Sequence, residues 1–224
     1  MLSFVPRPAS ALLLVFPVSK NYETFRMQED ADKAVYEGKG EGEPVIWYKQ
    51  TIRNACGLIG VLHAVSNGGA RNFIGMEFNL PGAFLWREGW VLIYLALEPE
   101  SDLHNLVQSA IPLAPIERAD LLYNSKALES AHADAASQGQ SNAPDATDDI
   151  DLHFVCFVKD EKNQLWELDG RRKGPLNRGH LAEVEDVLSE TALELGPRKF
   201  LKREAELGQG ELRFSIVALS PSMD

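Results

Sequence analysis

Gln50-Thr51-Ile52-Arg53-Asn54-Ala55-Cys56-Gly57-Leu58-Ile59-Gly60-Val61-Leu62-His63-Ala64 is where the chain passes from a polar approach into an apolar helical pattern, and a cysteine stands at the junction. Cys56, Ile59, Gly60, His63 and Asn67 share one side of a helix and Leu58, Val61, Leu62 and Val65 another, the mark of a largely buried helix. Asn54 is the expected cap, and Asn67-Gly68-Gly69 the stop. Cys56 would then lie in the first turn, where unpaired N–H groups and the helix dipole favour a thiolate; a free cysteine titrates at about 8.5 and helix N-termini lower that. The alternative is a buried core cysteine.

A thiol attacks only with a base, an orienting carboxylate and an oxyanion donor beside it. Far downstream, residues 151–158 and 164–169 read as two strands joined by the polar Lys159-Asp160-Glu161-Lys162-Asn163, a β-hairpin. A turn centred on Glu161 makes His153 and Asp169 direct cross-strand partners with Cβ atoms about 4.5–5.5 Å apart, close enough for the carboxylate to hold one ring nitrogen and leave the other free. Without the cysteine, the same two residues would be an ordinary cross-strand ion pair. A register shift of one residue would put them on opposite faces. Cys156, an odd number of positions from His153, belongs to the other face of that strand and reads as core.

Gln50, just ahead of the helix, can turn its side-chain amide toward the thiol and, with the Cys56 N–H, form an oxyanion hole; alone, it would be polar surface. His63 is the rival base, on nearly the same helix face as Cys56. Seven residues at about 1.5 Å each put it roughly 10 Å along the axis, too far to take the thiol proton. His104, His132 and His180 have no evident partner, and no Cys/His spacing suggests zinc, so neither a metal nor a cofactor is expected.

Residues 9–18 form a continuous apolar run bounded by prolines, a strand buried on both faces rather than the apolar core of a signal peptide. Residues 20–44 are charged and Gly-rich, a surface helix or loop. Residues 117–130 read as a short helix; 131–145 are low in complexity and read as a mobile loop. Residues 181–206 are helix-like with a break near Gly196-Pro197, and 212–219 form a last strand. At 224 residues and 45% hydrophobic content the chain has the material for a single domain over 1–224. The net charge of −11 argues against nucleic acid as a partner. No stretch is long and apolar enough to cross a membrane. Two cysteines in unlike settings suit a reducing compartment, cytoplasm or nucleus, and a monomer is expected.

With Gln50–Ala64 as QTIRNACGLIGVLHA, DLHF at 151–154 and ELDGR at 167–171, the chain closely resembles the ubiquitin carboxyl-terminal hydrolases, cysteine peptidases of the papain-like class. Phe4-Val5-Pro6-Arg7-Pro8 with the following apolar run, and Leu212-Arg213-Phe214 with Ile216-Val217-Ala218-Leu219, also look like this family. The resemblance implies an α+β fold with a central, mostly antiparallel sheet flanked by helices. It implies Cys56 as nucleophile, His153 as general base and then acid, Asp169 as orienter and Gln50 as oxyanion donor. It also implies ubiquitin as substrate, cleaved from a small adduct or short peptide at its C-terminal glycine through a thioester. Residues 126–150 fall where the family carries a crossover loop over the site. Two departures stand out: residues 75–98 replace a shorter connection and read as an insertion, and the family's N-terminal strand is expected to be missing.

Three readings of function follow. The leading one is a deubiquitinating thiol hydrolase, the second a non-catalytic ubiquitin-binding remnant or a chain too weakened to fold stably. The third is a thiol hydrolase for a related modifier, built from the same residues.

Overall fold

The computed structural model describes residues 4–71, 101–138, 152–206 and 213–221. The sequence reading of 75–98 as an insertion lies outside these residues, as does the 139–150 part of the expected crossover loop.

The apolar run after Pro8 forms strand β1, Ala11–Pro17, with six of its seven residues buried. Its alternate side chains serve opposite faces, which is why an unbroken apolar stretch suits it. β1 pairs antiparallel with β2, Leu152–Lys159, and with β5, Ser215–Leu219. β2 pairs with β3, Gln164–Leu168, and β3 with β4, Leu176–His180, giving a five-stranded sheet in the order β4-β3-β2-β1-β5. Every pairing is antiparallel, and the expected α+β architecture is borne out.

Helices cover both faces. On one, Leu12, Leu14 and Phe16 of β1 and Val155 and Phe157 of β2 meet α1 (Lys20–Asp30), α7 (Glu190–Leu195) and α8 (Pro197–Glu206) through Tyr22, Leu193 and Phe200. On the other, Leu13, Cys156, Val158 and Leu168 pack on Val45, Trp47 and Ala64, the last from α2, Cys56–Val65. Behind α2 a further layer joins Ile59 and Leu62 to α4 (Asp102–Ala110) and α5 (Pro115–Tyr123) through Val107, Ala110 and Leu122. Gly60 lets α2 lie close on the sheet, since a Cβ there would stand 3.1 Å from Leu13 and 3.3 Å from Phe154.

Four local expectations are corrected. Asn54 does not cap α2: it takes φ 62°, and the cap position is Ala55 without a side-chain hydrogen bond. The stop after α2 is real, but a short helix, α3 (Gly68–Arg71), follows it. The stretch from 117 to 138 holds two helices, α5 and α6 (Lys126–Gln138), separated at Asn124 and Ser125. The alanine-rich residues that read as loop continue α6 to Gln138, because alanine favours helix more than its polar neighbours disfavour it. Residues 181–189 are turns, and helix begins only after Ser189, whose hydroxyl accepts the Ala192 N–H.

The hairpin forms, with its turn one residue later than expected. The Asp160 carboxylate accepts the N–H groups of Lys162 and Gln164, and Asn163 adopts φ 60°. A three-residue loop ending in a left-handed residue results. Cys156 therefore faces Leu168 and Phe157 faces Glu167, centring the pairing on Lys162 instead of Glu161.

Candidate active site

Three segments converge at the end of the sheet where β2 begins. Cys56 is the first residue of α2, and no side chain caps that end. Its Sγ lies 3.7 Å from the Leu152 carbonyl oxygen, the acceptor for its proton whenever the thiol is protonated. α2 arrives on the sheet face opposite α1, and the thiol is buried.

His153 and Asp169 are brought together, though not as direct cross-strand partners. With the later turn, Asp169 is the residue following β3 and lies on the diagonal from His153. A turn displaced by one residue moves the pairing by two, which preserves the face of every side chain. His153 Nε2 and Asp169 Oδ1 are 2.9 Å apart, with both side chains buried. Nδ1 is left as the ring nitrogen that can exchange a proton with the thiol. The Arg171 N–H donates to Asp169 Oδ1 at 2.9 Å, the Tyr22 hydroxyl donates to Oδ2 at 2.6 Å, and the Trp47 indole N–H donates to the Asp169 carbonyl oxygen at 3.1 Å.

These contacts set the ionisation of the group. Burial alone would raise the Asp169 carboxyl, but the His153 charge and the hydrogen bonds from His153, Tyr22 and the Arg171 N–H overcome it and hold the carboxyl below the usual range. Burial would lower His153; the Asp169 carboxylate and its hydrogen bond win and raise the imidazole to about 9, with the Cys56 thiolate adding to the shift. Burial would likewise raise the Cys56 thiol, but the hydrogen bond to His153, the imidazolium charge and the N–H groups of Phe154 and Gly57 lower it. Cys156 on the same sheet has only burial acting on it, and its thiol is pushed far up, as expected of a core residue.

Gln50 borders the same cleft as Cys56 and His153, a space of about 370 Å³ also lined by Ile52, Arg53, Leu152 and Arg171. Its Nε2 donates to the Ile52 carbonyl at 3.0 Å, leaving the amide a second N–H. Its main chain is fixed by Gln50 N–H to Gly170 O at 2.9 Å. The approach to Gln50 is stitched to α2 by polar groups: Asn67 exchanges two hydrogen bonds with Ile46, at 2.7 and 2.9 Å, and His63 Nε2 accepts the Tyr48 N–H at 2.9 Å. His63 is fully buried, and burial lowers its imidazole to about 3, so it is a neutral packing residue as expected. Among the described residues no group of three His, Cys, Asp or Glu could hold a metal ion.

Sequence reasoning missed Tyr22 and Trp47. No spacing ties residue 22 or 47 to residue 169. The available signal was Ser19, a helix cap that fixes Tyr22 in the first turn of α1 by accepting its N–H at 2.9 Å.

A buried thiol, imidazole and carboxylate held in sequence on an α+β fold are the groups that a cysteine-type hydrolase needs. The family model described as ubiquitin carboxyl-terminal hydrolase, family 1, matches residues 1–84 and 91–196. Ubiquitin carboxyl-terminal hydrolase 3 of Arabidopsis thaliana is 33% identical over 221 residues, covering 98% of this chain and 78% of that protein. Human ubiquitin carboxyl-terminal hydrolase isozyme L1 is 36% identical over 220 residues, covering 97% and 81%. The catalytic domain of Trichinella spiralis UCH37, solved bound to ubiquitin vinyl methyl ester, superposes with a TM-score of 0.59 at 19% identity, over 96% of this chain and 78% of that one. The chain belongs to the ubiquitin carboxyl-terminal hydrolases of family 1, cysteine-type enzymes, and shares their papain-like fold.

Proposed function

We propose that this chain is a deubiquitinating thiol hydrolase that releases small adducts or short peptides from the C-terminal glycine of ubiquitin through a thioester on Cys56. The buried bond between His153 and Asp169, beside a thiol at a helix N-terminus, carries this reading. His153 takes the Cys56 proton, and the thiolate adds to the glycine carbonyl. The Cys56 N–H and the Gln50 amide stabilise the oxyanion; losing one such donor typically costs about 2.7–4 kcal/mol. His153 then protonates the leaving amine or alcohol, the C–N or C–O bond breaks, and the thioester remains. Water, deprotonated by His153, hydrolyses the thioester and returns the proton and the thiol. Asp169 keeps the imidazole oriented and balances its charge throughout. A reducing compartment, cytoplasm or nucleus, suits a nucleophile that must stay a free thiol.

A ubiquitin carrying a C-terminal amide or ester reporter is the test substrate. The protein is expected to turn it over, and Cys56→Ala to abolish turnover with an unchanged circular dichroism spectrum. A ubiquitin with a C-terminal electrophile is expected to form one covalent adduct, on Cys56. Turnover surviving Cys56→Ala, or no adduct on a folded chain, refutes the assignment.

A further inference from the structure

A carboxylate that orients an imidazole does so only while it is itself held. Asp169 is fully buried and accepts at both oxygens: Oδ1 takes His153 and the Arg171 N–H, and Oδ2 takes the Tyr22 hydroxyl at 2.6 Å. The bond to Oδ2 is the shortest of the three, as expected when a hydroxyl meets an ionised carboxylate. It also comes from a different element, α1, on the side of the sheet remote from α2.

The phenol is itself rigidly placed. Ser19 fixes the Tyr22 main chain, and Ser19 in turn donates to Glu204 of α8 at 2.7 Å. The Tyr22 ring packs edge-on to Phe16 at 4.8 Å and beside Phe200 at 5.9 Å, and it is 4% exposed. Burial and the Asp169 charge push its hydroxyl well above the ordinary value, so it stays protonated and acts as a donor across the working pH range.

We infer that Tyr22 is a positioning residue of the reaction, acting through Asp169: its hydroxyl fixes the rotation of the carboxylate and so the direction in which His153 presents Nδ1 to Cys56. The inference rests on the proposed roles of Cys56, His153 and Asp169. Without the hydroxyl, Oδ2 remains buried without its donor and the carboxylate can turn about its Cβ–Cγ bond. His153 and Cys56 lose alignment while the rest of the cleft wall, from Gln50, Ile52, Arg53 and Leu152, keeps its shape. Turnover should therefore fall without weaker substrate binding.

Tyr22→Phe removes the hydroxyl and keeps the ring contacts. Hydrogen bonds to charged groups are among the stronger ones, and the expected loss is about tenfold or more in kcat on the ubiquitin reporter, with KM within about twofold. In an Asp169→Asn background the same substitution is expected to change kcat by less than about twofold, because the group it acts through is gone. The rate of Cys56 labelling by the ubiquitin electrophile, measured on all four proteins, should follow the same pattern. An equal loss in both backgrounds, a loss carried by KM, or no loss at all overturns the inference. Failure of the parent protein to label at Cys56 would instead refute the underlying site assignment, so the two failures are distinguishable.

Discussion

Gly170 follows Asp169 and lies against Gln50, and replacing it with alanine tests whether the structure holds these two where the proposed chemistry needs them. A Cβ at residue 170 would stand 2.9 Å from Gln50 Cβ, 3.0 Å from Gln50 N and 3.0 Å from Ile59 Cγ2. Carbon atoms pack best at about 3.5–4.0 Å, so the Gln50 segment or the end of β3 must move by roughly 0.5–1 Å. Overpacking of this kind costs about 1–3 kcal/mol, and stretching the bond from Gln50 N–H to Gly170 O adds about 0.5–1.5 kcal/mol. The combined loss is about 2–4 kcal/mol, which at a urea slope of about 2–3 kcal/mol per molar lowers the unfolding midpoint by roughly 1 M. Because the displaced atoms belong to Gln50 and to the residue after Asp169, kcat on the ubiquitin reporter should fall about tenfold to a hundredfold. Gly42→Ala is the control: its Cβ would meet nothing within 4 Å. A Gly170→Ala protein whose midpoint and turnover match the Gly42→Ala control would refute the claim that close approach at residue 170 sets the Gln50 position.

Two histidines give stability opposite pH dependences. His153 is raised from 6.5 to about 9, so its contribution is complete below 6.5 and disappears as pH rises to about 9; the lowered Cys56 thiol works in the opposite sense, so the alkaline loss in urea titrations should grow when Cys56 is replaced by alanine. His63 is lowered from 6.5 to about 3, so below 6.5 the unfolded chain takes up a proton that the folded chain refuses, costing about 2–3 kcal/mol by pH 4.5; His63→Gln should flatten this acid side and His153→Gln the alkaline side. Arg118 is fully buried, bonding the carbonyls of Ala110, Trp47 and Ile111 and pairing with Glu43. Arg118→Met leaves the buried Glu43 carboxylate without its ion-pair partner and should cost about 3–5 kcal/mol by urea unfolding.

The parts of the fold legible in the sequence are those where burial imposes a period. β1 could be read because its neighbours on both sides of the sheet are apolar, and α2 because one of its sides faces β1 and β2 and another faces α4 and α5. The hairpin was legible as a hairpin, but its register was not. That depended on the Asp160 carboxylate binding two N–H groups and on Asn163 turning left-handed, both choices made among similar polar residues. α6 was hidden for the converse reason: residues 126–134 bury little, so they have helix propensity without apolar periodicity. In the candidate site, Cys56, His153, Asp169 and Gln50 were each legible by residue type and setting. Tyr22 was not, since the partner that gives it meaning is 147 residues away and reached only through the packing of α1 on the sheet.

The two cysteines show why placement, rather than residue type, decides reactivity here. Cys156 faces away from His153 along β2 and packs among apolar side chains, so burial acts unopposed and the thiol stays protonated. Cys56 is buried too, yet its proton is loosened because it stands where the apolar sheet ends and an imidazolium and main-chain N–H groups begin. That imidazolium exists near neutral pH only because Asp169 is ionised, and Asp169 is ionised in a dry place only because donors from α1, β2 and the turn after β3 converge on it. Each link therefore depends on the next: an apolar sheet raises the cost of charge, and a short series of buried hydrogen bonds restores it at one thiol. A thiol placed three residues beyond His153 on the same strand gains nothing from the series, because the pleat turns it to the other face.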